Sequence, residues 1–196
     1  MKEQLSQAEV HESVRLSNDI EGIFAGLRDN LHFGQHVAVA QKLICSDKLI
    51  SVAEIHAQLM QHLLEDGAIP GQYRTQRVTY VSGNKLLPKS TVVPKLMLQF
   101  ESTLQMSLAA GASEDLTSSG LIQALNTFHD IGLCIHPFTD GNGRIFRLAL
   151  NHWRRLCDLP WIQFTPAVWQ EHLGRLKLYE KEVFRPTHAW AYEPDT

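Results

Sequence analysis

Apolar residues recur at steps of three and four along most of the chain, the period of a helix with one buried face. Val10, Val14, Ile20 and Phe24 predict a first helix over about 7–27. Gly22 and Gly26 weaken it, so a break is expected near Gly22. The apolar stretch 37–45 predicts a second helix. Ser51-Val52-Ala53-Glu54 has the form of a capping box, and Ile55, Leu59 and Leu63 then repeat every four residues up to Gly67. Over 69–94 the pattern changes. Pro70-Gly71 punctuates it, 77–81 is β-prone, Ser82-Gly83-Asn84 signals a turn, and Leu86-Leu87-Pro88 can return as the second arm of a hairpin.

Helical period resumes over 92–110 through Leu96, Phe100, Leu104 and Leu108, and again over 118–135 through Leu121, Leu125, Phe128 and Ile131. Pro137 stops that helix just after His136. A further helix over 142–157 has an apolar stripe (Ile145, Leu148, Ala149, Leu156) and an opposite face of Arg144, Arg147, Asn151 and Arg154. Thr165-Pro166 is a good N-cap and first-turn pair for a last helix, which ends by Arg185-Pro186. The tail to Thr196 is expected to be loose. The fold class is mainly α with one hairpin.

A chain of 196 residues with 44% hydrophobic and 20% charged positions fits one domain that can bury its own core. A net charge of −3 makes the fold as a whole no electrostatic magnet for nucleic acid or an anionic membrane. The first residues carry no secretory pattern, and no apolar run approaches bilayer length. Three cysteines without a CxxC pair read as reduced residues of a cytoplasmic protein.

Candidate chemistry concentrates in 135–147. His136 can move protons near neutral pH, and Asp140 can hold a hard cation. Gly141-Asn142-Gly143 can turn its N–H groups into one concavity at a helix start, a phosphate cradle, with Arg144 and Arg147 close behind. Taken singly, each residue has a plain structural explanation; in this order they propose phosphate chemistry. Two rival groupings carry less. His129-Asp130 could begin a metal phosphohydrolase site, but that leaves 141–147 unexplained. His32 and His36 have ligand spacing without a carboxylate to complete a set. Cys134, on an apolar stripe, reads as core.

The run His136-Pro137-Phe138-Thr139-Asp140-Gly141-Asn142-Gly143-Arg144-Ile145-Phe146-Arg147 resembles the Fic family motif HxFx(D/E)GNGRxxR at every specified position. Gly71-Gln72-Tyr73-Arg74-Thr75, with Val78 to Val81, is similar to the approach to that family's hairpin flap. The resemblance implies a helical bundle with a short β-hairpin flap over the active site. It also implies transfer of AMP from ATP, with Mg²⁺, to a Ser, Thr or Tyr hydroxyl of a target protein or of the chain itself. His136 would be the base and Asp140 the metal ligand. Gly141, Asn142 and Gly143 would supply backbone donors, Arg144 and Arg147 would clamp phosphate, and Phe138 would be a buried anchor. Val78, Thr79, Tyr80 and Val81 would offer a strand edge to the target backbone.

Ser17-Asn18-Asp19-Ile20-Glu21-Gly22 resembles the family's inhibitory motif (S/T)xxxE(G/N). By that resemblance Ser17, Glu21 and Gly22 form a block in which Glu21 pairs bidentately with Arg147, in place of the γ-phosphate. In some relatives the same glutamate serves removal of AMP. The implied layout is an inhibitory region at 1–30, a catalytic core at 31–185 and a tail at 186–196, all in one compact domain. A different phosphate-containing donor, or a nucleotide-binding interaction module, are the alternatives. Oligomeric state and target identity are left open.

Overall fold

The computed structural model describes residues 5–23, 27–61, 69–78, 86–112 and 117–192. Eight α-helices lie within them: α1 (Gln7–Ile20), α2 (Leu27–Cys45), α3 (Val52–Leu59), α4 (Val93–Ala112), α5 (Ser118–Ile135), α6 (Asn142–Leu156), α7 (Pro166–Tyr179) and the single turn α8 (Arg185–Thr187). The fold is mainly helical, and no strand occurs among the described residues. Most of the expected hairpin, including Thr79, Tyr80 and Val81, lies outside them. Val78 is described and is not in a strand.

Hydroxyl side chains cap four of the helices, at Ser51 and Thr165 as expected and also at Ser6 and Thr117. Ser6 and Glu9 close a reciprocal capping box on α1. Ser51, Thr117 and Thr165 accept from Glu54, Gly120 and Val168 N–H groups to open α3, α5 and α7. The break expected near Gly22 is real: α1 ends at Ile20, Glu21 is its C-cap, and Gly22 takes φ +70°. A left-handed glycine after a C-cap turns the chain without a Cβ clash, and here it leaves Glu21 at the very end of the helix.

Helix α2 begins ten residues before the apolar stretch that predicted it, because Gly34 and its polar neighbours hide the period of the first half. The region around Leu63 lies outside the described residues, and α3 itself ends at Leu59. The end of the chain is not loose through Tyr192. A π-helical turn at Glu180–Phe184 leads into α8, and a 3-10 turn at Ala189–Ala191 follows. Phe184 and Ala191 are fully buried, and Lys89 N–H donates to Ala191 O at 3.0 Å. The apolar side chains of 184 and 191 pull this segment onto the core, against the local polarity that suggested otherwise.

α5 and α6 form the centre, with α4 on α5, α3 and α2 on α6, and α1 on α2 and α6. Their crossing is close because Gly132 has no side chain. A Cβ there would lie 2.0 Å from the Phe146 ring, itself fully buried and edge-on to Phe100. Gly132→Ala must therefore push two central helices apart. Overpacking of this kind costs about 1–3 kcal/mol, and a thermal melt should show a clear drop in Tm with the same helical content.

α6 is buried on both faces. Its apolar side contributes Ile145, Phe146, Ala149, Leu150 and Trp153 to the core, and Arg144, Arg147, Asn151 and Arg154 are each at most 6% exposed. These polar groups are matched by specific partners. Asn151 brackets Ile162, accepting from its N–H at 2.7 Å and donating to its carbonyl at 3.0 Å, and Arg154 Nε donates to Pro160 O. Those bonds hold the loop between α6 and α7, leaving Arg147 facing α1.

Candidate active site

The site forms where α5 ends and α6 begins. His136 is the C-cap of α5, with φ +51° and ψ +62°, a left-handed conformation unusual for a residue with a Cβ. The next five residues make a tight turn fixed from within. Phe138 is fully buried and stacked on His56, ring centroids 3.9 Å apart at 8°. The Asn142 side chain accepts from Phe138 N–H at 3.0 Å and donates to Phe138 O at 2.8 Å. Asn142 thus braces the loop through its amide, a role additional to the backbone donation its place in the motif implied.

His56 is buried, and its Nδ1 accepts from Gly71 N–H at 2.8 Å. Burial pushes its pKa down to about 4, so it is neutral at pH 7. A histidine with a depressed folded pKa costs nothing above its unfolded value near 6.5. Below that, the unfolded chain takes up a proton that the folded chain does not until about pH 4, so stability falls with falling pH across that window. His56→Gln should therefore flatten the loss of unfolding free energy between pH 6.5 and 4.5 by up to one proton, about 1.4 kcal/mol per pH unit. Denaturant melts at several pH values measure that slope.

Gly141, at φ +80°, is the N-cap of α6, and no described side chain caps the turn. The first N–H groups of α6 have no partner within the helix, and the positive end of the helix dipole lies behind them. Asp140 stands half-exposed at the rim, its Oδ2 accepting from Arg144 Nη2 at 3.2 Å. Arg147, one turn further in, is 2% exposed.

Arg147 meets the end of α1 directly. Its Nη2 donates to Glu21 Oε1 at 2.6 Å and to Ser17 O at 2.9 Å, and its Nε donates to Ser17 Oγ at 2.9 Å. The Trp169 ring lies 5.2 Å from the guanidinium carbon. The expected bidentate pair is not what forms. One carboxylate oxygen engages Arg147, and Ser17 takes the remaining edge through two atoms because α1 presents both of them to Nε and Nη2. Burial lowers the Arg147 pKa, while Glu21 draws it back up.

Glu21 also lies on the cradle itself. A Cβ on Gly143 would fall 2.2 Å from Glu21 Oε1 and 3.1 Å from Arg147 Nη1. Nη1 is buried with no hydrogen-bond partner among the described residues. An anion with more than one oxygen to give, placed at Gly143, could satisfy the donor that Glu21 leaves unmet.

Other groups hold α1 in this pose. Asn18 Oδ1 lies 2.9 Å from His36 Nδ1, Trp161 Nε1 donates to Ser13 Oγ at 2.8 Å, and Gln163 Nε2 donates to Glu9 O at 3.1 Å. His36 is thus a buried partner of α1. The His129-Asp130 pair is likewise closed. With His172 it forms a buried group whose ligand atoms lie within 4.8 Å of one another, but Arg175 donates to both Asp130 oxygens, at 2.6 and 3.0 Å, and lies 2.6 Å from His172 Nδ1. A guanidinium in that place repels a cation and takes the lone pairs it would need.

The sequence profile of the Fic/DOC family matches residues 48–153, more than half of the chain and the whole of the turn just described. The chain belongs to the Fic/DOC family. No curated protein matches it. Among solved structures it is similar to a Fic-domain signalling protein from Bacteroides thetaiotaomicron, with TM-score 0.73, 18% identity, and 89% of this chain and 73% of that chain covered. It is also similar to a Fic family protein from Desulfovibrio desulfuricans (TM-score 0.60, 21% identity, 94% of this chain and 59% of that chain). A fragment of Fic-1 from C. elegans gives TM-score 0.68 and 19% identity over 95% of this chain and 60% of that chain. These likenesses give the chain a Fic-like fold, and Fic-domain proteins are generally transferases. Among the described residues, no helix is long and apolar enough to cross a membrane.

Sequence reading missed Arg74 as a part of the site. It was noticed only within a similar stretch, yet it is 3% exposed and bonded to the carbonyl of His136 at 2.8 Å. A lone arginine in a loop has no periodic signal, so only the pairing in space reveals it.

Proposed function

We propose that this Fic-domain chain is a protein adenylyltransferase that moves AMP from ATP to a Ser, Thr or Tyr hydroxyl of a target protein, restrained by its own Glu21. The observation that carries the reading is the seat of the Glu21 carboxylate. It lies against Gly143 at the start of α6 and on a buried Arg147 that keeps one donor unmet. A site that holds an anion there, with a half-exposed aspartate at its rim and a histidine just before the turn, fits the tail of a triphosphate.

The residues present also fit a divalent cation. Mg²⁺ takes one or two carboxylates and completes its shell with phosphate oxygens and water, and Asp140 offers one half-exposed carboxylate beside the cradle. Bound there, Mg²⁺ would neutralise charge on the phosphate oxygens.

In the forward reaction His136 takes the proton of the target hydroxyl as its oxygen bonds to the α-phosphorus. The bond from the α-phosphorus to the bridging β-phosphate oxygen breaks, and pyrophosphate leaves with the electron pair. Arg144, the α6 N–H groups and Arg147 hold the negative charge that grows on the leaving group. With Glu21 in place, Arg147 is not available to the terminal phosphate, so ATP binds in a pose that does not react. By the family resemblance, a target segment would pair its backbone with 78–81.

The test is to incubate the Glu21→Gly protein with a cell lysate, Mg²⁺ and ATP labelled in either the α or the γ position. Label from the α position on a protein band is expected, and that band identifies the target. Label from the γ position alone would replace the adenylyl reading with phosphate transfer. No label from either would leave a nucleotide-binding interaction module.

A further inference from the structure

We propose that Arg74 is the positioning residue of this site, holding His136 in its left-handed backbone conformation and so aiming its ring. The proposal rests on the reading of His136 as the base. Three successive carbonyls accept from this one residue: Ile135 O from Nη2 at 3.4 Å, His136 O from Nε at 2.8 Å, and Pro137 O from the Arg74 backbone N–H at 2.8 Å. Nη2 also donates to Pro88 O at 2.6 Å.

The need for such a clamp follows from the sequence at the end of α5. A helix that ends in a left-handed residue closes with one backbone bond or with two, the second from the N–H of the following residue. Here His136 N–H makes the first, to Gly132 O at 3.0 Å, but the next residue is Pro137, which has no N–H to give. The left-handed position is filled by histidine rather than glycine, at a backbone cost of about 1–3 kcal/mol that the surroundings must hold in place. Arg74 adds donors from outside the helix, to the carbonyls of Ile135, His136 and Pro137 themselves. Its charge also lies at the negative end of the α5 dipole.

Burial pushes the Arg74 pKa down to about 10, so it remains a cation at neutral pH. Its bond to Pro88 ties together the two flanks of the 79–85 segment, 74–78 and 86–89, and sets both against His136. Nothing in this set reaches the phosphate cradle. Arg74 acts through backbone, not on the reacting atoms. Lysine would keep the charge but not the planar fork that serves Ile135, His136 and Pro88 together.

The test compares Arg74→Lys with its parent in the Glu21→Gly background. The lysine variant should retain helical content and a KM for ATP within about threefold, while kcat for α-label transfer falls on the order of 100-fold, as expected for a misplaced catalytic group. The His136 ring resonances, assigned in histidine-labelled protein, should shift or broaden while those of the buried His172 stay. An unchanged kcat, a loss confined to KM, or an unmoved His136 resonance would each overturn the proposal. If the parent shows no transfer at all, the adenylyl reading fails, and the His136 resonance still decides the role of Arg74. If the lysine variant does not fold, the wild-type chain suffices: the Arg74 Nε–H should exchange slowly with solvent, and rapid exchange would contradict the clamp.

Discussion

Glu21→Gly should raise α-label transfer on the order of 10- to 100-fold over the wild-type chain, the range that a coupling of 1–3 kcal/mol between two sites produces. The ion pair to Arg147 is short, but Glu21 is partly exposed, and the contact joins residues 126 positions apart in sequence. What holds Glu21 down is therefore the docking of all of α1, through Ser13, Asn18 and Ser17, more than the ion pair alone. Removing the carboxylate leaves that docking intact and frees one N–H of Arg147 Nη2 and the space above Gly143 together. The fold should survive, since Ser17 still takes Nε and Nη2 and Trp169 still covers the guanidinium. An initial-rate assay with the two proteins at matched concentration measures the gain, and equal rates would remove the inhibitory role of Glu21.

Loss of His136 should have the opposite and larger effect. In the Glu21→Gly background, removing the base is expected to lower kcat by about 10²–10⁴-fold, the usual contribution of general base catalysis. The left-handed backbone at 136 decides which variant is informative. Alanine there adds a conformational penalty to the chemical one, whereas asparagine tolerates positive φ and isolates the loss of the base. His136→Asn should therefore keep the melting temperature near that of the parent and His136→Ala should lower it, with transfer lost in both. Undiminished transfer by His136→Asn would remove the base assignment.

Much of this site is readable from the chain because it is local. Residues 136–147 sit within one turn and one helix, so their order already places His136, Asp140 and Gly141 at one helix junction and Arg144 and Arg147 on one face of α6. Caps at Ser51 and Thr165 make the starts of α3 and α7 legible, and a regular apolar period does the same for α5. The misses are those that depend on distant partners. Arg74 has no period and gains meaning only beside Pro137. Asn142 reads as part of a cradle until its side chain is seen to close the loop on Phe138. The sharing of Arg147 between Ser17 and Glu21 depends on how α1 lies, which residue spacing does not contain. The closure of the His129-Asp130 pair by Arg175 depends on α7 returning to α5. At the chain end, Ala191 is buried by tertiary packing that local polarity gave no sign of.

Glu21 and the terminal phosphate of ATP are expected to compete for Arg147. The most direct measurement is the affinity of ATP relative to ADP, taken by calorimetry in the presence of Mg²⁺ for the wild-type and Glu21→Gly chains. With Glu21 in place the γ-phosphate has no partner, so the two nucleotides should bind the wild-type chain with nearly equal Kd. In Glu21→Gly the freed guanidinium should favour ATP over ADP by about tenfold or more, the worth of one or two charge-assisted hydrogen bonds. The same ATP-to-ADP ratio in both proteins would contradict the account.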